Sequence, residues 1–323
     1  MIEILVSCGI VSLLISLLLP AVQSARESAR RAACSNNLKQ MGLAMHQFES
    51  TYRRFPPELP KEMQSEQGLA FQFPVSAQFC LLPFLDRSDV QSRIVFRGDV
   101  WNLSQDPPTS LLNSPVVNTR IPAFLCPSDW GKEGATNYLM CHGTSTGQHT
   151  TPDVPVPNSS RDGFGRQGTG VQVSEVSDGL SNSIAFSERL TGAADPRRFD
   201  PSRDIAYLVG TSSFPPLPDE GVVTCRSFVS PSSAHSSYSG YGWLFHSLGV
   251  TTYNQILSPN SATPDCSGGS GGGSGVYTAR SLHPGGCQTL LGDGAVRFVS
   301  QSIDQNLWRA LGTINSSDPV NAH

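Results

Sequence analysis

The chain has 323 residues, room for one large domain or two small ones, and only 15% of them are charged. Its 30 glycines and 24 prolines, with many Ser, Thr and Asn, argue for a loop-rich β domain rather than a helical bundle. A net charge of −4 and a pI near 6.0, with no basic stripe interleaved with aromatics, exclude a nucleic-acid footprint.

The first predicted element is a helix with two environments. Residues 4–19 are 16 positions without a charge, preceded by Glu3. As a helix they span roughly 24 Å against a hydrocarbon core of about 30 Å, so they reach the membrane with tilt or local thinning. Beyond Pro20, an apolar stripe recurs at helical steps through Val22, Ala25, Ala29, Cys34, Leu38, Met41, Met45, Phe48 and Tyr52. Arg26, Glu27, Arg30, Arg31, Lys39 and Gln40 occupy the other face, so the second half is expected in water with its stripe packed on something. Arg53 and Arg54 suit the negative end of the dipole, and Pro56-Pro57 forbid continuation. A cleaved secretory signal fits poorly, because the start is acidic and the helical pattern runs on past Ser24. A simple single-span anchor is the plainer alternative.

Further along, residues 79–85 read as a short helix or strand and residues 121–129 as a strand ending in a turn. Residues 150–170 read as a surface loop. Residues 171–176 and 183–189 alternate about Asp178-Gly179, which predicts a hairpin. Residues 214–221 read as a loop, and 222–229 and 241–245 as strands. Residues 266–275 are a Gly/Ser-rich excursion without the Gly-Lys-Ser/Thr ending of a phosphate loop. Residues 288–291 and 295–299 flank Gly292-Asp293-Gly294 as a second hairpin, and residues 304–311 form a last short helix.

The eight cysteines are dispersed without a C-x-x-C, which removes the usual support for a zinc ribbon or a thioredoxin-like site. Cys8 and Cys34 read as small apolar members of the helix, Cys225–Cys266 as the preferred bridge, and Cys126–Cys141 as its alternative.

Asp178 and Asp293 each precede Gly at a turn, where a short acceptor satisfies backbone amides; with Asn182, Glu188 or loop carbonyls they could instead ligate Ca²⁺. His283, ahead of Pro284-Gly285-Gly286, reads as a structural ring clamping the following hairpin. Residues 143–147 match the G-x-S-x-G of serine hydrolases, but loop residues follow where a helix is needed. No nucleophile and base stand at informative spacing, so the chain reads as no enzyme. The tryptophans 101, 130, 243 and 308 with Tyr238, Tyr241 and Tyr253 are core and rim residues or, alternatively, the lining of a solute groove.

Glu3 with its apolar run, LLLPAVQSARESARR, CSNNLKQMGLAMHQFESTYRRFPP, FLCPSD, SEVSDGLSNSIAFSER and SLHPGGCQTLLGDGAVRFVSQSIDQNLWRALGT span nearly the whole chain. Together they resemble domain of unknown function family 1559, a planctomycete-type family with a type IV pilin or type II secretion pseudopilin N-terminal helix, once filed among solute-binding proteins. His283, nine intervening residues and Asp293-Gly294 are the family's C-terminal signature. The turn Asp178-Gly179 with Asn182 belongs to another of its blocks.

The resemblance implies an α+β fold: a pilin-like helix over residues 1–56, inserting in the membrane over about 2–20, packed on an antiparallel, loop-rich domain over 57–323 with loop insertions near 150–170 and 266–275. It implies a structural subunit of a pilus or secretion-like assembly; a surface-anchored solute- or glycan-binding module is the alternative. Glu3 would offset the N-terminal amine of a neighbouring subunit, a role that suits an acid otherwise costly at the membrane face. The implied partners are the cytoplasmic membrane, like or related pilin subunits and a prepilin peptidase, with no nucleic acid; calcium is the one cofactor considered. The implied location is a single pass through the cytoplasmic membrane with the C-terminal domain outside. The family's Gly-Phe-Thr processing site is expected before Met1, so either the start lies upstream or this copy is unprocessed. The basic residues after the span, by the positive-inside rule, pull the other way.

Overall fold

Helix α1 (Ile2–Tyr52) runs unbroken through Pro20 and carries both environments. The computed structural model describes residues 2–60, 75–94, 115–129, 131, 133–147, 162–208, 214–227, 234–268 and 273–316. Trp101, Trp130, most of the 150–170 loop and the middle of the Gly/Ser-rich run lie outside the described residues. Over residues 9–23 of α1 the apolar side chains face outward; Leu17 is 65% exposed. Cys34, Leu38, Met41, Ala44 and Met45 are fully buried. The stripe docks later than its periodicity suggests: Val22, Ala25 and Ala29 are exposed, and the domain first covers the helix near Glu27. Arg53 lies just beyond the last turn with φ 60°, its N–H donating to Glu49 O at 2.6 Å, and Phe55 then turns into the core.

Strand β1 (Glu58–Pro60) follows, then α2 (Ala77–Leu81), whose Ser76 hydroxyl accepts from the Phe79 N–H at 3.1 Å. A 3₁₀ turn over Leu82–Leu85 and α3 (Ser88–Gln91) complete this part; the helical alternative for residues 79–85 is the one realised.

The main sheet has the order β11-β10-β4-β2-β7, built from β2 (Tyr138–Cys141), β4 (Ile184–Glu188), β7 (Thr252–Tyr253), β10 (Gly286–Leu291) and β11 (Val296–Ser300). Alternation sorts its side chains onto two faces. Tyr138, Met140, Phe186 and Leu290 join Leu38 and Met41 of α1 in one cluster. Leu139, Cys141, Ile184 and Leu291 pack on the other side with Trp308. Trp308 belongs to α5 (Gln305–Ala310), whose N-cap Asp304 accepts from Asn306 and Leu307. A second sheet, β6-β5-β8-β9, comprises β5 (Ile205–Leu208), β6 (His235–Ser236), β8 (Asp265–Gly268) and β9 (Gly275–Val276). Strand β3 (Gln167–Gly168) pairs with β1 alone. The fold is α+β, but its sheets are mixed: β1–β3, β2–β7 and β5–β8 are parallel. Such pairs need long crossovers, which the loop-rich connections supply.

Several local readings change, and the ends of the 266–275 run are not loop: residues 266–268 and 275 belong to the paired strands β8 and β9. The 288–299 hairpin forms, whereas the 171–189 hairpin does not: Val173–Glu175 is a 3₁₀ turn closed by a Gln172–Glu175 capping box, and β4 pairs with β10 and β2. The stretch expected as a strand over 222–229 begins as α4 (Pro218–Ser227), where Pro218 opens the helix and Asp219 and Glu220 fill its first turn. Pro122 likewise starts a 3₁₀ turn over Pro122–Phe124 in place of a strand. Residues 241–245 hold only two isolated bridges, Tyr241 to Ala135 and Phe245 to Val75.

Candidate functional site

The joint between α1 and the main sheet gathers the most chemistry. His283, fully buried at its side chain, sets Nδ1 2.6 Å from Glu27 Oε1 on α1 and Nε2 3.3 Å from Glu188 Oε1 on β4. Glu27 is also held by Arg30 at 2.7 Å. Glu188 Oε2 accepts from the Gln288 N–H of β10 at 2.8 Å. The ring therefore clamps the helix and β4, and reaches the following hairpin only through Glu188. Burial pushes the His283 pKa down, but Glu188 and Glu27 outweigh it and the net direction is up. Burial raises the Glu27 carboxyl, and the hydrogen bonds from His283 and Arg30 reverse that, leaving it lowered.

Beside the ring, Cys34 of α1 is bridged to Cys126, whose Sγ lies 3.6 Å from His283 Nε2. Cys126 thus pairs with Cys34 and not with Cys141, which is a free buried thiol pushed up to about 12 by burial. Arg31 adds two grips, donating to Pro284 O at 3.0 Å and lying 3.8 Å from the Phe298 ring centroid.

Gly294 makes a second hold further along α1. It has φ +85°, and a Cβ there would come within 3.3 Å of the His46 ring. A Cβ on Gly42 would meet Leu290 Cδ1 at 2.9 Å and Gly294 Cα at 3.3 Å. Asp293 completes the turn by accepting from the Ala295 N–H at 2.9 Å. The signature from His283 to Gly294 accordingly holds α1 at Glu27 and at His46, about 28 Å apart along the helix axis.

The other residues singled out from sequence lie elsewhere. Glu3 is exposed in the first turn of α1. Gly179 has φ +91°, and the Asn182 amide donates to Asp178 O at 3.0 Å. The Asp178 carboxylate accepts from Thr313 and Ser316, which ties down the C-terminal segment. Cys225 and Cys266 are bridged and pin α4 to β8. The three calcium candidates do not converge: Asp178 serves the C-terminal segment, Asp293 its own turn, and Glu188 the His283 joint. Among the described residues, the only group of three or more potential donors close enough to share a metal ion is Cys34, Cys126, Glu188 and His283.

Of the described candidate groove rings, Tyr238 and Tyr241 meet edge to face, their centroids 6.1 Å apart and Tyr238 exposed, whereas the others lie in the core. Trp243 and Trp308 are fully buried in different clusters and donate to Thr119 O at 3.0 Å and Leu257 O at 2.8 Å. Tyr253 is buried too, its hydroxyl donating to Gln255 at 2.8 Å.

Buried charge supports the domain elsewhere too, as where Arg203 meets Asp129 at 2.8 Å. Asp265 pairs with Arg189 and, at 2.9 Å, with Arg280. Glu58 lies 3.1 Å from His246 and 3.8 Å from His142. Burial lowers both rings; beside Glu58, His142 ends above its ordinary value and His246 below.

The model for a family described as a protein of unknown function (DUF1559) matches residues 23–306. The chain belongs to this family. No curated protein and no solved structure matches it. The family match begins beyond the exposed apolar segment and takes in Glu27, Cys34, Cys126, Glu188 and His283, the whole joint. DUF1559 membership was legible from its blocks, but the joint was not. Glu27 reads as one more polar-face residue and Cys34 as one more apolar one. The available cue was that each sits in a block whose partner block, FLCPSD or SLHPGG, carries a complementary side chain.

Proposed function

We propose that this protein is a membrane-anchored, pilin-like structural subunit that presents its domain outside the cytoplasm. The observation that carries the reading is the divided α1. One unbroken helix leaves its first half bare and apolar while its second half is locked into the domain by His283 and Gly294. Among the described residues it is the one helix long and apolar enough to cross a membrane. A tether alone needs no rigid coupling to its cargo, whereas a filament core does, because helix packing must transmit position to the domains. Assembly would exchange lipid contacts of residues 4–19 for helix–helix contacts, with Glu3 paired to a neighbour's amine.

Truncation tests this directly. Removing residues 1–20 should turn a membrane-associated, self-associating protein into a soluble monomer by sedimentation and light scattering; persistent filaments would sink the idea. Glu3→Gln should leave membrane insertion intact and reduce assembly. Protease accessibility in intact cells reports which side carries the domain.

The second reading, a surface-anchored solute-binding module, draws on the family model's short name, SBP_bac_10; the recess bordered by Asp129, Glu188 and Arg280 holds only about 10 Å³, the room of a single water. A solute that raises the thermal midpoint of the full chain would favour it.

A further inference from the structure

We infer that the joint between α1 and the sheet is a zinc site in its reduced state: Cys34, Cys126, His283 and Glu188 take one Zn²⁺ when the Cys34–Cys126 bridge is open. The claim is independent of filament formation and rests on four donors from four separate segments. Their ligand atoms all lie within 4.8 Å of one another. Tetrahedral zinc with bonds of about 2.0–2.3 Å spaces its ligand atoms about 3.3–3.8 Å apart. Nε2 of His283 already stands 3.6 Å from Cys126 Sγ and 3.3 Å from Glu188 Oε1. The two bonded sulfurs must separate to reach that spacing, and every other donor pair lies within 4.8 Å.

Two features mark a ligand site rather than a chance cluster. Glu188 Oε1 is buried with no well-aligned hydrogen bond, facing His283 Nε2 at 3.3 Å and grouped with the two sulfurs. His283 is already oriented as metal-bound histidines are, with Nδ1 held by the Glu27 carboxylate at 2.6 Å and Nε2 left to face the centre. Two sulfurs, one imidazole and one carboxylate suit zinc, whereas calcium and magnesium favour all-oxygen sets. The recess that borders Cys126 and Glu188 offers an approach. A salt-bridged imidazolium between two carboxylates beside a permanent disulfide is the competing account.

The chemistry balances with a thiol-specific phosphine as reductant. The S–S bond breaks, the phosphine takes oxygen from water to become its oxide, and two thiols form. Zinc then displaces both thiol protons and the His283 Nε2 proton to solvent as two Zn–S bonds and one Zn–N bond form, Nδ1–H stays on Glu27, and Glu188 Oε1 completes the shell. A cellular dithiol would serve equally, leaving as its own disulfide.

The test uses the full chain in detergent micelles, reduced anaerobically with phosphine and then titrated with Zn²⁺ against a chromophoric chelator, and with Co²⁺ as a spectroscopic stand-in. The expected result is one metal per chain, thiolate-to-cobalt charge transfer in the near ultraviolet, and the visible bands of a tetrahedral ion. Oxidised protein should take none. Cys34→Ser should abolish binding, and Glu27→Gln, which acts through His283, should weaken it by about 10–100-fold. Cys225→Ser with Cys266→Ser should leave it unchanged. No uptake by the reduced chain, or uptake that survives Cys34→Ser, overturns the inference. If reduction unfolds the protein, zinc should restore its circular dichroism and thermal transition; failure to do so also overturns it.

Discussion

Single residues decide the joint. Gly294 occupies a left-handed turn position and abuts the His46 ring, so Gly294→Ala adds both a backbone cost and a close contact. The expected loss is about 1–2 kcal/mol in chemical denaturation. Gly285 also has a positive φ, +88°, but a Cβ added there would meet no atom within 4 Å, so Gly285→Ala carries the backbone cost without the contact. Its loss should be the smaller of the two.

Glu58 sets a pH dependence at the same scale. His142 is raised above 6.5 in the folded state, so its contribution to stability is complete below pH 6.5 and fades as pH rises through the folded value. His246 is lowered, so its contribution is complete above 6.5 and fades as pH falls. Above pH 6.5 the Glu58–His142 pair therefore governs the difference between wild type and Glu58→Gln. The thermal midpoint of wild type should decline relative to that of the variant as pH rises from 6.5. Parallel curves would refute the pairing.

At the scale of elements, α1 is two helices in energetic terms though one in geometry. Leu38 is fully buried against the sheet, and Leu38→Ala should cost about 2–5 kcal/mol. Leu17 is 65% exposed, and Leu17→Ala should change unfolding of the domain by less than about 0.5 kcal/mol. An equal cost for both would mean that the first half also packs on its own domain. Elements also show where local patterns mislead. Residues 222–229 carry a strand-like pair of valines, yet Pro218, Asp219 and Glu220 start a helix whose inner face takes Val222 and Cys225. The alternation on either side of Asp178-Gly179 is genuine for β4, but its partners come from β2 and β10, so adjacency in sequence does not become pairing.

For the whole molecule, the two bridges do different work. Cys225–Cys266 spans a sequence separation of 41 and joins α4 to β8. Its removal by paired serine replacements should lower stability by about 2–4 kcal/mol, measured by guanidinium unfolding, with α1 still docked. Cys34–Cys126 spans 92 residues and ties the helix to the domain at the place where His283 and Arg31 also hold it. Cys34→Ser, which leaves Cys225–Cys266 intact, should therefore loosen α1 selectively, visible as new proteolytic cleavage after Arg30 and Arg31 before the sheet core opens.

Residue pattern alone revealed the long helix with its change of environment, the 288–299 hairpin, the terminal helix behind Asp304, and family membership. These are periodic or local signals: apolar spacing, a turn dipeptide, a capping residue, contiguous blocks. Packing in three dimensions is what makes Cys126 meet Cys34, brings Glu27 to His283 across 256 residues, and parts the three calcium candidates while a different donor set converges. Those pairings depend on how α1 lies along β10, a geometry set by the burial of Leu38, Met41 and Leu290 together, and no spacing within a single segment encodes it.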